Sequence, residues 1–286
     1  MAETKRLTVP AVEEILGESF PCLDKGFVRF VDYMGGDSAI VQAARVSYGD
    51  GTKTVREDKG LIDYLWRNKH TSPFEHVITK WHAKMPIFVA RQWIRHRTAR
   101  INEVSGRYSV MKDEFYVPPI EEVRSQSSNN KQARGTELSR DVQQQVLDSL
   151  IQEQIDDSNA YQERLDLGVA KETARINLPL TTYTEWYWNI DLHNLFHFLN
   201  LRMHPHAQQE IRVYADKIFD LTRRLVPFAC ESFERHTLKG LSLSSEDIPA
   251  ISRVVHGEDL HFVAKQVYQD KFSRKEFVEK AKRFLS

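Results

Sequence analysis

The sequence predicts an α+β protein, and three observations carry that prediction. Stretches with strand character recur at 27–31, 76–84 and 183–188, scattered among longer segments of helical periodicity. The two kinds do not alternate as regular βαβ units, which disfavours a doubly wound parallel sheet. Neither GxGxxG after a strand nor GxxxxGK followed by Ser or Thr occurs, so neither a Rossmann site nor a phosphate loop is indicated.

Taken in order, residues 1–25 read as a short extension leading into the strand at 27–31. Residues 38–47 read as a helix. Residues 57–69 read as a second, with Leu61, Ile62, Leu65 and Trp66 on one face. In 76–84, Val77, Thr79, Trp81 and Ala83 fall on one side, as in a strand. Pro86 then opens a helix where its missing N–H costs nothing, running to about Thr98 with Ile87, Ala90 and Ile94 inward. Residues 102–117 alternate and are expected to be extended, and the polar stretch 125–135 reads as a loop. Segment 137–167, rich in Gln, Glu and Asp, is expected to be a solvated helix. A short helix near 169–176 ends before Pro179, and the run Tyr183-Thr184-Glu185-Trp186-Tyr187-Trp188 is strongly β-forming. Helices at about 191–203 and 206–235 follow, and 273–285 reads as an amphipathic helix. The expected organisation is an extension (1–25), a main domain (26–240) and a partly helical tail (241–286).

Composition narrows the function classes. Of 286 residues 41% are hydrophobic, enough for a substantial core, while Lys+Arg and Asp+Glu balance at 40 each. That balance gives no argument for nucleic acid or an anionic membrane, although an anionic small ligand needs only a few local arginines. No apolar run approaches the roughly 20 residues that span a bilayer, and the start MAETKRLTVPAVEE lacks the features of a secretory signal. The two cysteines, Cys22 and Cys230, are far apart and form no CxxC, so neither a disulfide framework nor a cysteine-rich zinc site is expected. The expected compartment is the cytoplasm.

The most informative segment is Arg95-His96-Arg97 with its continuation to Tyr108. Gln92 and Arg95 are three apart and share a helix face. Arg95 and Arg97 are two apart, so an ending helix would let the three basic side chains fan out to different groups. Glu103, Ser105 and Arg107 sit at period two, placing a carboxylate, a hydroxyl and a guanidinium on one edge of an extended segment. Gly106 between them permits close approach by a ligand. Such a set suits a phosphate or a pyrimidine with several donors and acceptors. By itself, RHR equally describes a solvated basic helix end whose arginines stabilise the last carbonyls.

The run Arg95-His96-Arg97-Thr98-Ala99-Arg100-Ile101-Asn102-Glu103-Val104-Ser105-Gly106-Arg107 resembles the signature of the flavin-dependent thymidylate synthases. That signature reads RHR, two residues, Ser, one residue, Asn, two residues, Ser, one residue, Arg. Arg100 departs from it, standing where the family has Ser, and is left out of the expected site. The resemblance extends over roughly 24–235, through DYMGGDSAIVQAARVSYG, HTSPFEH, PIFVARQW, the LPLTTYTEWYW run and LHNLFHFLNLR. It is weakest in 111–167 and absent after about 240.

The resemblance implies the family's fold, a mixed or antiparallel sheet flanked by helices, assembled as a homotetramer with active sites shared between subunits. It implies conversion of dUMP to dTMP with FAD as cofactor and NADPH and methylenetetrahydrofolate as co-substrates, and neither nucleic acid nor membrane as a partner. It further implies that Gln92, Trp93, Ile94, Arg95, Glu103, Val104, Ser105, Gly106, Arg107, Arg175 and Arg202 hold dUMP. His70, Ser72, Arg95, His96, Arg97, Glu103, Asp191, His193 and His197 would line the FAD site. Asp191 is a second departure, since the family commonly has Asn there.

Several of these positions carry physical readings of their own. Ser72-Pro73-Phe74-Glu75 has the spacing of a capping box with Pro at the first helical position. His193 and His197 lie i, i+4 on one helix, a spacing that can hold a metal, but the motif suggests no third ligand and no metal is expected. Leu192, Leu195 and Leu199 form an inward stripe that Arg202 continues, and an arginine on a core-facing stripe is costly unless paired. The resemblance makes Arg202 the residue that activates the uracil ring. Cys22 and Cys230 have no local activating base, so a cysteine-nucleophile route is not indicated, and the resemblance implies hydride carried by reduced flavin. Two other classes use the same residues: a non-redox nucleotide or nucleic-acid-binding module, and a flavin oxidoreductase with a different acceptor.

Overall fold

The computed structural model describes residues 7–46, 55–128 and 134–285. Ser47 of the expected helix 38–47, residues 47–49 of the motif DYMGGDSAIVQAARVSYG, residues 1–6 of the expected extension and 129–133 of the expected loop lie outside them. The chain falls into two units, Met1–Ser232 and Phe233–Ser286.

In the first unit α1 (Pro10–Glu13) leads into the hairpin of β1 (Ser19–Cys22) and β2 (Gly26–Met34), then α2 (Asp37–Arg45), α3 (Val55–Arg67) and a 3₁₀ turn at Ser72–His76. There follow β3 (Ile78–Pro86), α4 (Ile87–Trp93), β4 (Arg100–Glu103) and a small hairpin of β5 (Arg124–Gln126) and β6 (Arg134–Glu137). The unit is completed by α5 (Arg140–Asp166), α6 (Lys171–Ala174), β7 (Tyr183–Asp191), α7 (Leu192–Arg202), α8 (Gln209–Leu225) and α9 (Pro227–Phe233). The main sheet runs β1-β2-β3-β7-β4, and every pairing in it is antiparallel.

The register explains the core. Trp81 pairs with Trp188 and Ala83 with Trp186, and because side chains alternate across a strand these face one side together with Thr79 and Ile190. All six are buried. Against that face α4 sets Trp93, whose ring meets Trp186, Trp188, Phe198 and Tyr214 at centroid distances of 5.4, 5.1, 5.1 and 5.9 Å. Aromatic rings bury large areas and gain further from edge-to-face contact, so this cluster anchors α4, α7 and α8 to the sheet. The opposite face carries His82 stacked on Tyr187 at 4.8 Å and Lys80 over the Tyr187 ring.

Four expectations are corrected. The helix after Pro86 ends at Trp93 rather than near Thr98, and its buried stripe is Val89, Ala90 and Trp93, leaving Ile94 43% exposed. The chain turns at once, with His96 N–H donating to the Trp93 carbonyl at 3.0 Å. Extended structure in 102–117 is interrupted after Glu103, because Tyr108 and Ser109 N–H both donate to the Ser105 carbonyl and close a turn (3.1 and 3.0 Å), and it resumes at Phe115, which bridges antiparallel to Thr182. The Ser72 capping box does not form: Thr71 holds the cap position and no side chain caps the 3₁₀ turn. The helix expected over 206–235 breaks at Val226–Pro227, where Pro lacks the N–H that continuity needs. Asp37 caps the new start, accepting from Phe228 N–H (2.8 Å) and Ala229 N–H (3.1 Å).

In the second unit a π turn (Glu234–Leu238) precedes α10 (Asp247–Val255), α11 (Leu260–Val267) and α12 (Lys271–Leu285). They enclose a core of Ala250, Ile251, Val263, Ala264, Phe277 and Ala281. Buried Asp247 accepts from Ser244 N–H, Tyr268 O–H and Lys280 Nζ at 2.7, 2.6 and 3.1 Å. Burial raises its carboxyl, but these bonds outweigh burial and hold it at about 2.

Candidate functional site

The expected site residues fall into three groups, each placed by a different element. The first lies where the end of α4 meets the end of α7. Asp191 starts α7 as its N-cap, Oδ1 accepting Asn194 N–H at 2.9 Å and Oδ2 accepting Asn194 Nδ2 at 2.7 Å. Leu192, Leu195 and Leu199 are fully buried, so the helix is fixed along one stripe and delivers Arg202 at its last turn. Arg202 is half-buried, and no carboxylate pairs with it among the described residues. Its Nε–H donates to His96 Nε2 at 3.0 Å and its Nη2–H donates to the Gln92 carbonyl at 3.1 Å.

His96 is 7% exposed, edge-on to Phe198 at 4.9 Å and 5.7 Å from the His197 ring. Burial, then the Arg202 charge and then His197 push its imidazole down to about 4, so it is neutral near pH 7. The two flanking arginines turn outward: Arg95 and Arg97 are exposed, and among the described residues no carboxylate neutralises them. The fan of three side chains read from RHR is therefore His96 in and both arginines out.

The second group is the turn after β4. Glu103 accepts Thr184 Oγ1–H at 2.6 Å, so the edge carboxylate is fixed by β7. The turn at 105–109 means that Ser105 and Arg107 do not continue the Glu103 face. Ser105 Oγ instead accepts Arg107 N–H at 3.3 Å, and Arg107 pairs with Glu172 at 2.9 Å on the surface. Gly106 is buried against Arg175: a Cβ there would sit 2.9 Å from Arg175 Cδ and 2.9 Å from Met111 Sδ. Val104 is exposed, its N–H donating to the Glu185 carbonyl at 2.9 Å.

The third group is the 3₁₀ turn that packs against the start of α7. His70 and Ser72 are exposed, His70 edge-on to Tyr64 at 5.9 Å. His193 lies 6.4 Å from the Trp66 ring, and its Nδ1 is buried without a hydrogen-bond partner. His197, one turn on, is exposed, and no group of three His, Cys, Asp or Glu able to hold a metal occurs among the described residues.

Two expected residues sit apart from these groups. Trp93 is a core residue with 0% exposure, so its ring is not presented to a ligand. Ile94 stands on the surface beside Arg95. Residues not foreseen support the site from behind: Gln208 accepts from Gln92 Nε2, Thr184 fixes Glu103, and Glu172 pairs Arg107. Gln92 and Gln208 are 116 positions apart, and no local pattern signals such a contact. Gln208 also lines a cavity of about 530 Å³ with Arg124, Arg134, His206 and Arg212, none of them an expected site residue.

The donor set fits an anionic, diphosphate-bearing cofactor: exposed Arg95 and Arg97, the Ser72 hydroxyl and imidazoles at 70, 193 and 197. The unpartnered Nδ1 of His193 is the buried polar atom that such a ligand would satisfy.

The family profile described as "Thymidylate synthase complementing protein" matches residues 29–228. The chain is 57% identical over 261 residues to "Flavin-dependent thymidylate synthase" of Treponema denticola, covering 91% of this chain and 97% of that protein. The chain belongs to the flavin-dependent thymidylate synthase family. The Rickettsia conorii protein of the same description is 52% identical over 268 residues, covering 89% of this chain and 91% of that one. Among solved structures, the UMP/dUMP methylase PolB from Streptomyces cacaoi bound with 5-Br dUMP superposes with a TM-score of 0.70 at 34% identity, covering 76% of this chain and 98% of that one. The family's α+β fold is thus the fold of this chain, its sheet wholly antiparallel. No helix among the described residues is long and apolar enough to cross a membrane.

Proposed function

We propose that this chain is a flavin-dependent thymidylate synthase that converts dUMP to dTMP, with FAD as cofactor and NADPH and methylenetetrahydrofolate as co-substrates. The observation that carries the reading is the meeting of Arg202 with the signature segment, where it donates to His96 and to the Gln92 carbonyl. The chemistry a bound FAD would supply is the hydride that completes the methyl group, with NADPH as the reductant.

The chain's own residues bind and polarise. Gln92, Arg95, Glu103, Ser105, Gly106, Arg107 and Arg175 would hold dUMP, the guanidinium groups taking its phosphate and Glu103 a ring or sugar donor. Arg202 would sit at the uracil O2/N3 edge, where a positive charge favours loss of the N3 proton and moves electron density toward C5, the carbon to be alkylated. His70, Ser72, Arg95, His96, Arg97, His193 and His197 would line the FAD. Asp191 would act there through the helix it caps, since both its oxygens already accept from Asn194.

A homotetramer with active sites shared between subunits belongs to the same reading. Its support is that Arg95, Arg97, His70, Ser72 and His197 are exposed in one chain, so a second copy would cover them. Residues 26–240 would form the catalytic domain and 241–286 a tail, in a cytoplasmic enzyme. A dTMP assay omitting FAD, NADPH and methylenetetrahydrofolate in turn tests the function. Product is expected only with the full set, and no product with the full set would overturn the reading. A protein lacking flavin bands and taking up no added FAD would favour the non-redox nucleotide or nucleic-acid module. NADPH oxidation indifferent to dUMP and folate would favour an oxidoreductase with another acceptor.

A further inference from the structure

Arg202 spends one particular edge of its guanidinium on the protein. The group has five N–H donors, and the two engaged here are Nε–H and one Nη2–H, to His96 Nε2 and the Gln92 carbonyl. The end-on fork, both Nη1 hydrogens and the second Nη2 hydrogen, is left for a ligand. A guanidinium on a flexible stem has several rotamers, and fixing one of them takes rigid acceptors. Both acceptors are rigid. The carbonyl belongs to the last turn of α4, which Trp93 roots in the core. The imidazole is buried and edge-on to Phe198, a residue of the same helix as Arg202. Because Nε2 accepts, the ring proton of neutral His96 sits on Nδ1.

We propose that His96 is the positioning residue of Arg202, a neutral imidazole that clamps the side edge of the guanidinium so that its end-on fork meets the substrate ring. The inference rests on the role given to Arg202 under Proposed function, and it assigns His96 a task beyond lining a flavin site. It places the histidine of the RHR run with the substrate activator and leaves the outward Arg95 and Arg97 to anions.

The test is a double-mutant cycle at saturating FAD and dUMP, with wild-type dTMP formation as the control. His96→Leu, which cannot accept, is expected to lower kcat at least tenfold. His96→Gln, whose Oε1 can accept the Nε–H, is expected to stay within threefold of wild type. In the Arg202→Ala background His96→Leu is expected to add less than twofold, because the clamp then holds nothing. Fully multiplicative losses, or His96→Gln as slow as His96→Leu, would overturn the proposal.

Imidazole nitrogen-15 NMR supplies a readout that needs no turnover. It is expected to show His96 Nε2 unprotonated at pH 7 and, in Arg202→Met, a titration moved upward by the loss of the adjacent charge, with His197 the other titratable ring facing it. A His96 titration unmoved by Arg202→Met would overturn the clamp even if the wild type made no dTMP. A wild type without product but with the shifted titration would leave the clamp standing and reject the function instead.

Discussion

At the scale of single residues, Arg202 and Gly106 give the sharpest expectations. Arg202→Ala removes the charge proposed to polarise the uracil ring, so dTMP formation is expected to fall by about two to three orders of magnitude, the usual cost of one transition-state donor. Bound flavin, read from the visible spectrum, is expected to remain. Retained turnover at saturating dUMP would rule out ring activation by Arg202. At Gly106 the backbone does not demand glycine, since its φ is not in the left-handed region. Space does: an added Cβ would press on Arg175 Cδ and Met111 Sδ at 2.9 Å. Both belong to long, flexible side chains, so Gly106→Ala is expected to move Arg175 rather than unfold the chain. The dUMP KM should rise by about an order of magnitude, consistent with the sensitivity of positioned groups to small displacements, while the melting temperature holds. An unchanged KM would show that Arg175 is not set by this contact.

At the scale of elements, two carboxylates set helix starts. Asp191 caps α7, and Asp191→Ala is expected to cost about 1 kcal/mol in urea unfolding. Asp191→Asn keeps a carbonyl acceptor for Asn194 N–H, so its loss should stay below about 0.5 kcal/mol, and it restores the amide common in the family. Its flavin dissociation constant is therefore expected to fall; a rise would show that the Asp charge itself is used. Asp37 caps α9 from outside the helix, and burial raises its carboxyl to about 6 against the two N–H bonds that lower it. A folded pKa above the unfolded value means the folded state binds the proton more tightly. This contribution is full below about 3.8 and is lost as pH rises through about 6. His96, lowered from 6.5 to about 4, gives the opposite slope, which cancels when variant and wild type are compared. The stability of Asp37→Asn relative to wild type should thus rise between pH 4 and 6, read from urea midpoints. Parallel curves would show that Asp37 does not titrate there.

At the scale of the whole molecule, the site residues form three groups, several of whose side chains, Arg95, Arg97, His70, Ser72 and His197 among them, are exposed in one chain. Sedimentation is expected to give four times the 33.4 kDa chain mass. A monomer active at assay concentration would reject the shared site. Sheet and helix positions were largely legible, because burial imposes period two on β3 and a 3.6-residue stripe on α7. Trp81 and Ala83 point inward as their alternation predicted, and so do Leu192, Leu195 and Leu199. The misreadings lie where local pattern competes with tertiary demand. Ser105 and Arg107 alternate like a strand, yet Gly106 and the Ser105 carbonyl close a turn against Arg175. Ile94 has the spacing of an inward residue, yet Trp93 takes that place by filling the space between β7 and α7.

The sequence by itself determined which chemistry was available: a run of basic and polar side chains, an arginine at the end of an apolar stripe, and a family signature that names their use. Such information is written in residue identity and spacing, which survive without coordinates. Only the tertiary structure decided which of those groups are committed to one another. Arg202 and His96 are 106 positions apart, Gln92 and Gln208 are 116, and Asp37 and Phe228 are 191. Hydrogen bonds of that separation exist because core packing brings α2, α4, α7, α8 and α9 onto shared ground, and no local periodicity encodes a partner so far along the chain.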